Sequence, residues 1–97
     1  MKQDFIIVIP ARLKSTRLPR KPLLDIGGVP MVIRTYLQCI KVVDKSKVYI
    51  ATDSDEIMKV AQLYGTQAVM TSDKALTGTD RIAEVAEMID SKYYINI

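Results

Sequence analysis

Five consecutive apolar residues, Phe5-Ile6-Ile7-Val8-Ile9, constrain this chain more than any other stretch. Strict alternation of apolar and polar residues marks a strand with one wet face; an unbroken β-branched run marks a strand covered on both faces. Strands of that kind belong to parallel sheets, because the crossover connections lay helices over both surfaces. The rest of the chain supplies such crossovers. Behind Gly27-Gly28, a turn signal, Pro30 suits the first turn of a helix, and Ile33, Tyr36, Leu37 and Ile40 recur on one face to about Lys41. "KVYIAT" is a second strand, expected over Val48–Ala51. Asp53 and Glu56 form a capping-box-like start to a helix lined by Ile57, Val60, Ala61 and Tyr64, with Gly65 at its C-cap. "TQAVMT" holds a third strand over Ala68–Met70, and a polar loop leads to a helix with Ile82, Val85, Ala86 and Ile89 inside. "YYINI" begins a fourth strand, Tyr93–Ile97. The spacing predicts helices near 30–41, 54–64 and 79–90. Alternation of strand and helix throughout predicts an α/β fold with a mainly parallel sheet and right-handed crossovers. The fourth strand is expected to be a buried central one, so the 97 residues read as the N-terminal part of a larger α/β enzyme or a curtailed relative of one.

The second constraint is charge. "IPARLKSTRLPRKPL" follows the first strand and carries Arg12, Lys14, Arg17, Arg20 and Lys21 with no acid among them. Removing those five from the 14 basic residues leaves nine against 11 acidic ones, so the net charge of +3 is local to one loop. A nucleic-acid binder spreads its cations over a face or along a helix; a compact polyanion such as a nucleotide triphosphate fits one basic loop better. In an open parallel sheet, ligands bind outside the carboxyl ends of the strands, and this loop lies at that edge together with 52–54 and 71–78. Pro10, Pro19 and Pro22 restrict the backbone, and Ser15 and Thr16 add hydroxyl donors beside Arg17. Neither the P-loop pattern nor the dinucleotide glycine fingerprint is present, so phosphate binding rests on side-chain cations. The alternative is a solvated loop whose lysines serve solubility.

Other classes are bounded by what is missing. No apolar run approaches the ~20 residues of a membrane span, and "MKQDFIIVIP" lacks the pattern of a secretory signal. Cys39 is the only cysteine and there is no histidine, which excludes an internal disulfide and zinc-type ligand sets and suits a reducing cytoplasm.

Three segments, "IPARLKSTRLPRKPLLDIGGVPM", "VYIATDSDEI" and "VMTSDKALTGTDRIAEV", together resemble the bacterial 3-deoxy-manno-octulosonate (Kdo) cytidylyltransferases, the CMP-Kdo synthetases. That family's pattern is close to "IPAR-x-x-S-[ST]-RLPGKPL", then "ATD", then "SGT[ED]R". The resemblance runs nearly the whole chain, in order and with compatible spacing. It implies a three-layer, Rossmann-like nucleotide-diphospho-sugar transferase fold, of which residues 1–97 form the N-terminal nucleotide-binding part. It also implies transfer of CMP from CTP to Kdo with release of diphosphate, for lipopolysaccharide or capsule synthesis. By matching position, Arg12, Arg17 and Lys21 meet the triphosphate, with Arg12 and Lys21 as the catalytic cations, and Ala11, Ser15 and Thr16 join them in binding the nucleotide. Ala51, Thr52 and Asp53, with Thr77, Gly78 and Thr79, form the walls of the nucleotide pocket. Magnesium is the expected cofactor of the full-length protein, but the "QGDEP"-like segment whose Asp holds it lies beyond this sequence. CTP and Kdo are the implied partners, a homodimer the implied full-length assembly, and neither nucleic acid nor membrane is expected.

Several positions keep a second reading. Asp53 caps its helix or meets ligand; Gly78 and Thr79 start the third helix or line the pocket. Arg81 pairs with Asp80, Glu84 or a neighbouring loop, or reaches ligand. Tyr93 and Tyr94 read as strand packing rather than a stacking platform. Arg20 stands where the family usually has glycine, Leu13 where an aromatic is common, Thr77 for a frequent serine and Ser72 where many members have arginine. Competing functions are a CMP-sialic acid synthetase-like or other acidic-sugar nucleotidyltransferase, and a non-catalytic nucleotide-binding module.

Overall fold

The computed structural model describes residues 3–13, 20–72 and 78–97. Its frame is a four-stranded parallel sheet in the order β5-β4-β1-β6, made from β1 (Gln3–Ala11), β4 (Val48–Thr52), β5 (Ala68–Met70) and β6 (Ser91–Asn96). Between β1 and β4 lie a two-stranded antiparallel hairpin, β2 (Asp25–Ile26) and β3 (Val29–Pro30), and helix α1 (Met31–Cys39). Helices α2 (Asp55–Leu63) and α3 (Gly78–Met88) complete the alternation.

The period of two along β1 divides the interior into two cores. Ile7, Ile9 and Ala11 face one side with Val48 and Ile50, where Ile33 and Tyr36 of α1 and Ile57 and Ala61 of α2 cover them. Ile6 and Val8 face the other side with Ala51, beneath Val85 of α3, with Ile82 and Ile89 packed alongside. The result is the three-layer α/β/α arrangement implied by the sequence, with β1 dry on both faces. In register, Ile9 pairs with Ile50 and Ala11 with Thr52, so the carboxyl ends of the two middle strands finish level.

Helix ends follow local chemistry. Ser54 caps α2, its Oγ accepting from the Ile57 N–H at 3.2 Å. This corrects the expectation that Asp53 is the cap; the helix begins one residue later, and the smaller hydroxyl makes the bond. Gly65 ends α2 with φ 70, the left-handed conformation that glycine adopts without a Cβ penalty. Pro30 is the N-cap of α1 rather than its first helical residue, because it also closes the hairpin. That hairpin turns through Gly27 (φ 61) and Gly28 (φ 87), two consecutive left-handed residues suited to a tight two-residue turn. Arg34 braces it, its Nε donating to the Ile26 carbonyl at 2.6 Å.

One expectation about burial fails. Leu37 is exposed, and Val32 and Cys39 take its place on the inner face of α1. The fourth strand, β6, is the outer strand of the sheet that the described residues form, and Tyr93 is 61% exposed there. The central position belongs to β1, whose unbroken apolar run has no counterpart in β6.

Candidate functional site

The carboxyl ends of β1, β4 and β5 open onto one edge, and most of the sequence-designated residues gather there. Ala11 ends β1 and is buried; Arg12 follows it, half-buried. Ser15, Thr16, Arg17 and Thr77 lie outside the described residues. The chain is described again at Arg20, whose N–H donates to the Leu13 carbonyl at 2.9 Å, and passes into a single 3-10 turn, Lys21–Leu23. Lys21 is exposed at the start of that turn; its carbonyl accepts from the Leu24 N–H at 3.0 Å, and its ammonium makes no hydrogen bond or ion pair among the described residues. It lines an open cleft of about 280 Å3 with Pro10 and Ala11 of β1, Met31 and Thr35 of α1, and Ile97. Arg12 does not line that cleft. The structure therefore joins Lys21 to the end of β1 across the cleft, while Arg12 follows that strand end off the cleft lining.

Ala51 and Thr52 end β4 without solvent exposure. The Thr52 hydroxyl accepts from the Ser54 N–H at 3.1 Å, and its carbonyl accepts from the Thr71 N–H at 2.8 Å, so this wall is held by its own backbone. Gly78 is the first residue of α3, and Thr79 beside it is exposed. Asp53 is half-buried and faces α3, with Oδ2 4.0 Å from Arg81 Nη2.

Arg81 is the feature that sequence reasoning underrated. Its side chain is the largest among those fully buried, and Nη1 donates to the Thr71 hydroxyl. Glu84, one turn further along α3, accepts from the Ser72 N–H at 2.6 Å and the Ser72 hydroxyl at 2.8 Å. These two bonds hold the Glu84 carboxyl below its ordinary value, since they favour the ionised form. Thus α3 grips the exit of β5 at two successive residues and approaches the exit of β4 through Asp53. Arg81 lies four residues before Val85, the spacing that puts both on the inner helix face; that was the available signal.

Cations thus stand at the carboxyl edge of a parallel strand in an α/β domain, walled by the exits of its neighbours, and in open sheets of this kind that edge is where ligands bind. The comparisons place it further. A family model described as cytidylyltransferase matches residues 6–97, and this chain belongs to the cytidylyltransferase family. It is 48% identical over 92 residues to a 3-deoxy-manno-octulosonate cytidylyltransferase of Chlorobium phaeobacteroides, covering 95% of this chain and 37% of that protein. It is 54% identical over 86 residues to the enzyme of the same name from Polynucleobacter necessarius, covering 89% and 34%. A solved structure of CMP:2-keto-3-deoxy-manno-octonic acid synthetase complexed with CTP superposes with a TM-score of 0.91 at 41% identity, over 98% of this chain and 39% of that one. The chain thus spans a little over a third of the length of these relatives.

Proposed function

We propose that this chain is the nucleotide-binding part of a CMP-Kdo synthetase, which transfers CMP from CTP to Kdo in the cytoplasm for lipopolysaccharide or capsule synthesis. The observation that carries the reading is Lys21, an unengaged ammonium among the described residues, set on the cleft at the end of the central strand. Support comes from the likeness to a synthetase solved with CTP.

In this reading the triphosphate lies across the end of β1. Arg12 and Lys21, with Ser15, Thr16 and Arg17, hold its oxygens, and the exits of β4 and β5 (Ala51 to Asp53, Thr77 to Thr79) flank the cytidine. The anomeric hydroxyl oxygen of the sugar forms a bond to the α-phosphorus, its proton passes to water, and the bond to the β-phosphate breaks to release diphosphate. Charge accumulates on the departing diphosphate, and fixed cations stabilise it with little rearrangement. Lys21 is the residue we assign to that task, with Arg12 nearer the reacting phosphorus. Among the described residues no three Asp, Glu, Cys or His side chains converge to hold a metal ion. The complete protein is proposed to supply the metal segment, the sugar site and a homodimer interface outside these 97 residues. No helix among the described residues is long and apolar enough to cross a membrane.

Thermal unfolding in the presence of CTP, UTP, ATP and GTP tests the nucleotide assignment. A ligand at 100 times its dissociation constant adds ~2.7 kcal/mol of stability. CTP is expected to raise the melting temperature alone; equal shifts with all four remove base selectivity, and no shift with any removes nucleotide binding. Formation of CMP-Kdo and diphosphate by the complete protein tests the sugar.

A further inference from the structure

Arg20 combines two features at this edge. It is the only non-glycine residue with positive φ (64) among the described residues, and its guanidinium is spent on a protein partner. The left-handed conformation crowds a Cβ against the backbone, which is why glycine usually occupies such positions. An arginine there retains a conformational cost that the side chain must offset.

What the side chain does is specific. Nη1 donates to Glu56 Oε1 at 3.1 Å and Nη2 donates to Oε2, a parallel two-bond contact with α2. The Arg20 bond holds the Glu56 carboxyl below its ordinary value, and the same bond raises the guanidinium, so the two groups report one interaction. Glu56 sits in the first turn of α2, where the helix dipole favours a negative charge and Ser54 already fixes the backbone. It is a firm anchor. The backbone of Arg20 is equally committed. Its N–H bonds to Leu13, and its carbonyl accepts from the Leu23 N–H at 2.9 Å, closing the 3-10 turn that begins with Lys21.

The geometry points to Arg20 as a positioning residue: by clasping Glu56 it fixes the turn that carries Lys21, and so sets where the Lys21 ammonium meets the nucleotide phosphates. This rests on the nucleotide reading above. Parallel N–H···O bonds between a guanidinium and a carboxylate accept a narrow range of orientations, whereas a lysine's ammonium imposes none of its own. The clasp therefore confers on the turn a direction that Lys21 lacks. Both partners are about half exposed, 56% and 50%, so the pair is screened by salt and adds little to global stability. Its effect is on placement.

The test uses Glu56→Gln, which keeps shape and removes charge, and the exchanged pair Arg20→Glu with Glu56→Arg. Without ligand, Glu56→Gln is expected to speed amide hydrogen exchange at Leu23 and Leu24, the donors that close the turn, with the melting temperature unchanged. With ligand, its CTP dissociation constant, measured by calorimetry, should rise roughly two- to fivefold, as fits an exposed, geometry-specific pair. The exchanged pair should restore both, and high salt should erase the difference. Unchanged exchange in Glu56→Gln overturns the clasp. Faster exchange with unchanged affinity overturns the positioning role. If Arg20→Ala weakens CTP but Glu56→Gln does not, Arg20 is itself a phosphate contact and the inference is wrong. If the unsubstituted protein binds no CTP, the nucleotide reading fails and the positioning role with it, while the exchange data still show whether the clasp holds the turn.

Discussion

Arg20 and Arg81 lie at the same edge of the sheet and each faces an acidic residue, yet one side chain is 56% exposed and the other sees no water. Arg20 makes an orthodox two-bond contact with Glu56. Arg81 stands 4.0 Å from Asp53, a charge contact rather than a hydrogen bond, and bonds directly to the Thr71 hydroxyl. The better ion pair is thus the one that matters less to stability. Exposed pairs gain little because water solvates the separated charges nearly as well. A buried guanidinium has left water behind, and its neighbours are arranged around it. The same functional group orients a turn in one place and holds three elements together in the other.

The largest effect should come from Arg81→Ala. Removing one partner from a buried polar cluster costs on the order of 3 kcal/mol, through lost bonds and lost packing of the long side chain. For a domain of this size the melting temperature should fall by more than ~10 °C. Arg20→Ala should shift it by less than ~2 °C. Similar shifts in the two variants would break the comparison.

Lys21→Ala should separate function from stability within the exposed region. In the complete enzyme, losing a charge-assisted phosphate contact that strengthens in the transition state costs ~1.5–3 kcal/mol, a ten- to hundredfold fall in turnover. Melting should be nearly unchanged, and Lys41→Ala, an exposed lysine remote from the cleft, should alter neither. Turnover within twofold of the unsubstituted enzyme, with a lowered melting temperature, would make the basic stretch structural.

The smallest effect is in acid. Glu56 and Glu84 both titrate below the ordinary glutamate value, the first because Arg20 bonds to it and the second because Ser72 does. A depressed carboxyl contributes stability that is complete above its unfolded pKa and is lost as pH falls through the folded one. Melting temperature should hold steady from pH 7 to about 5 and decline below the unperturbed glutamate value of ~4.3. Glu84→Gln should flatten part of that decline, and an unaltered profile would show that the Ser72 grip is not formed in solution.

These contrasts also mark what the amino-acid order could reveal. The run Phe5–Ile9 marked a strand covered on both faces because an uninterrupted apolar stretch has few other solutions, and Gly65 marked a helix end because its φ requires it. Arg12 and Lys21 were legible as cations of the strand edge through both the local charge excess and the family motif. The division of labour between Arg20 and Arg81 was not. Glu56 lies too far along the chain from Arg20 for any local pattern to join them, and nothing in "TDRIAEV" announces that its arginine is buried except its spacing from Val85. Periodicity likewise marked Leu37 as inner, but the buried residues of α1 are Val32, Ile33, Tyr36 and Cys39.

The placement of β1 between β4 and β6 has a bearing on how the chain reaches this fold. Its first strand is the middle one, and Ile7 pairs with Ile95, near the opposite end of the sequence. Such pairings close large loops before any contact rewards them, which slows folding. During synthesis β1, the most apolar strand among the described residues, emerges before both of its neighbours and acquires β4 first. It then presents one uncovered edge until β6 appears. An uncovered apolar strand edge invites pairing with other chains. The segment that gives the mature sheet its dry centre is thus the one that a nascent chain leaves unguarded longest.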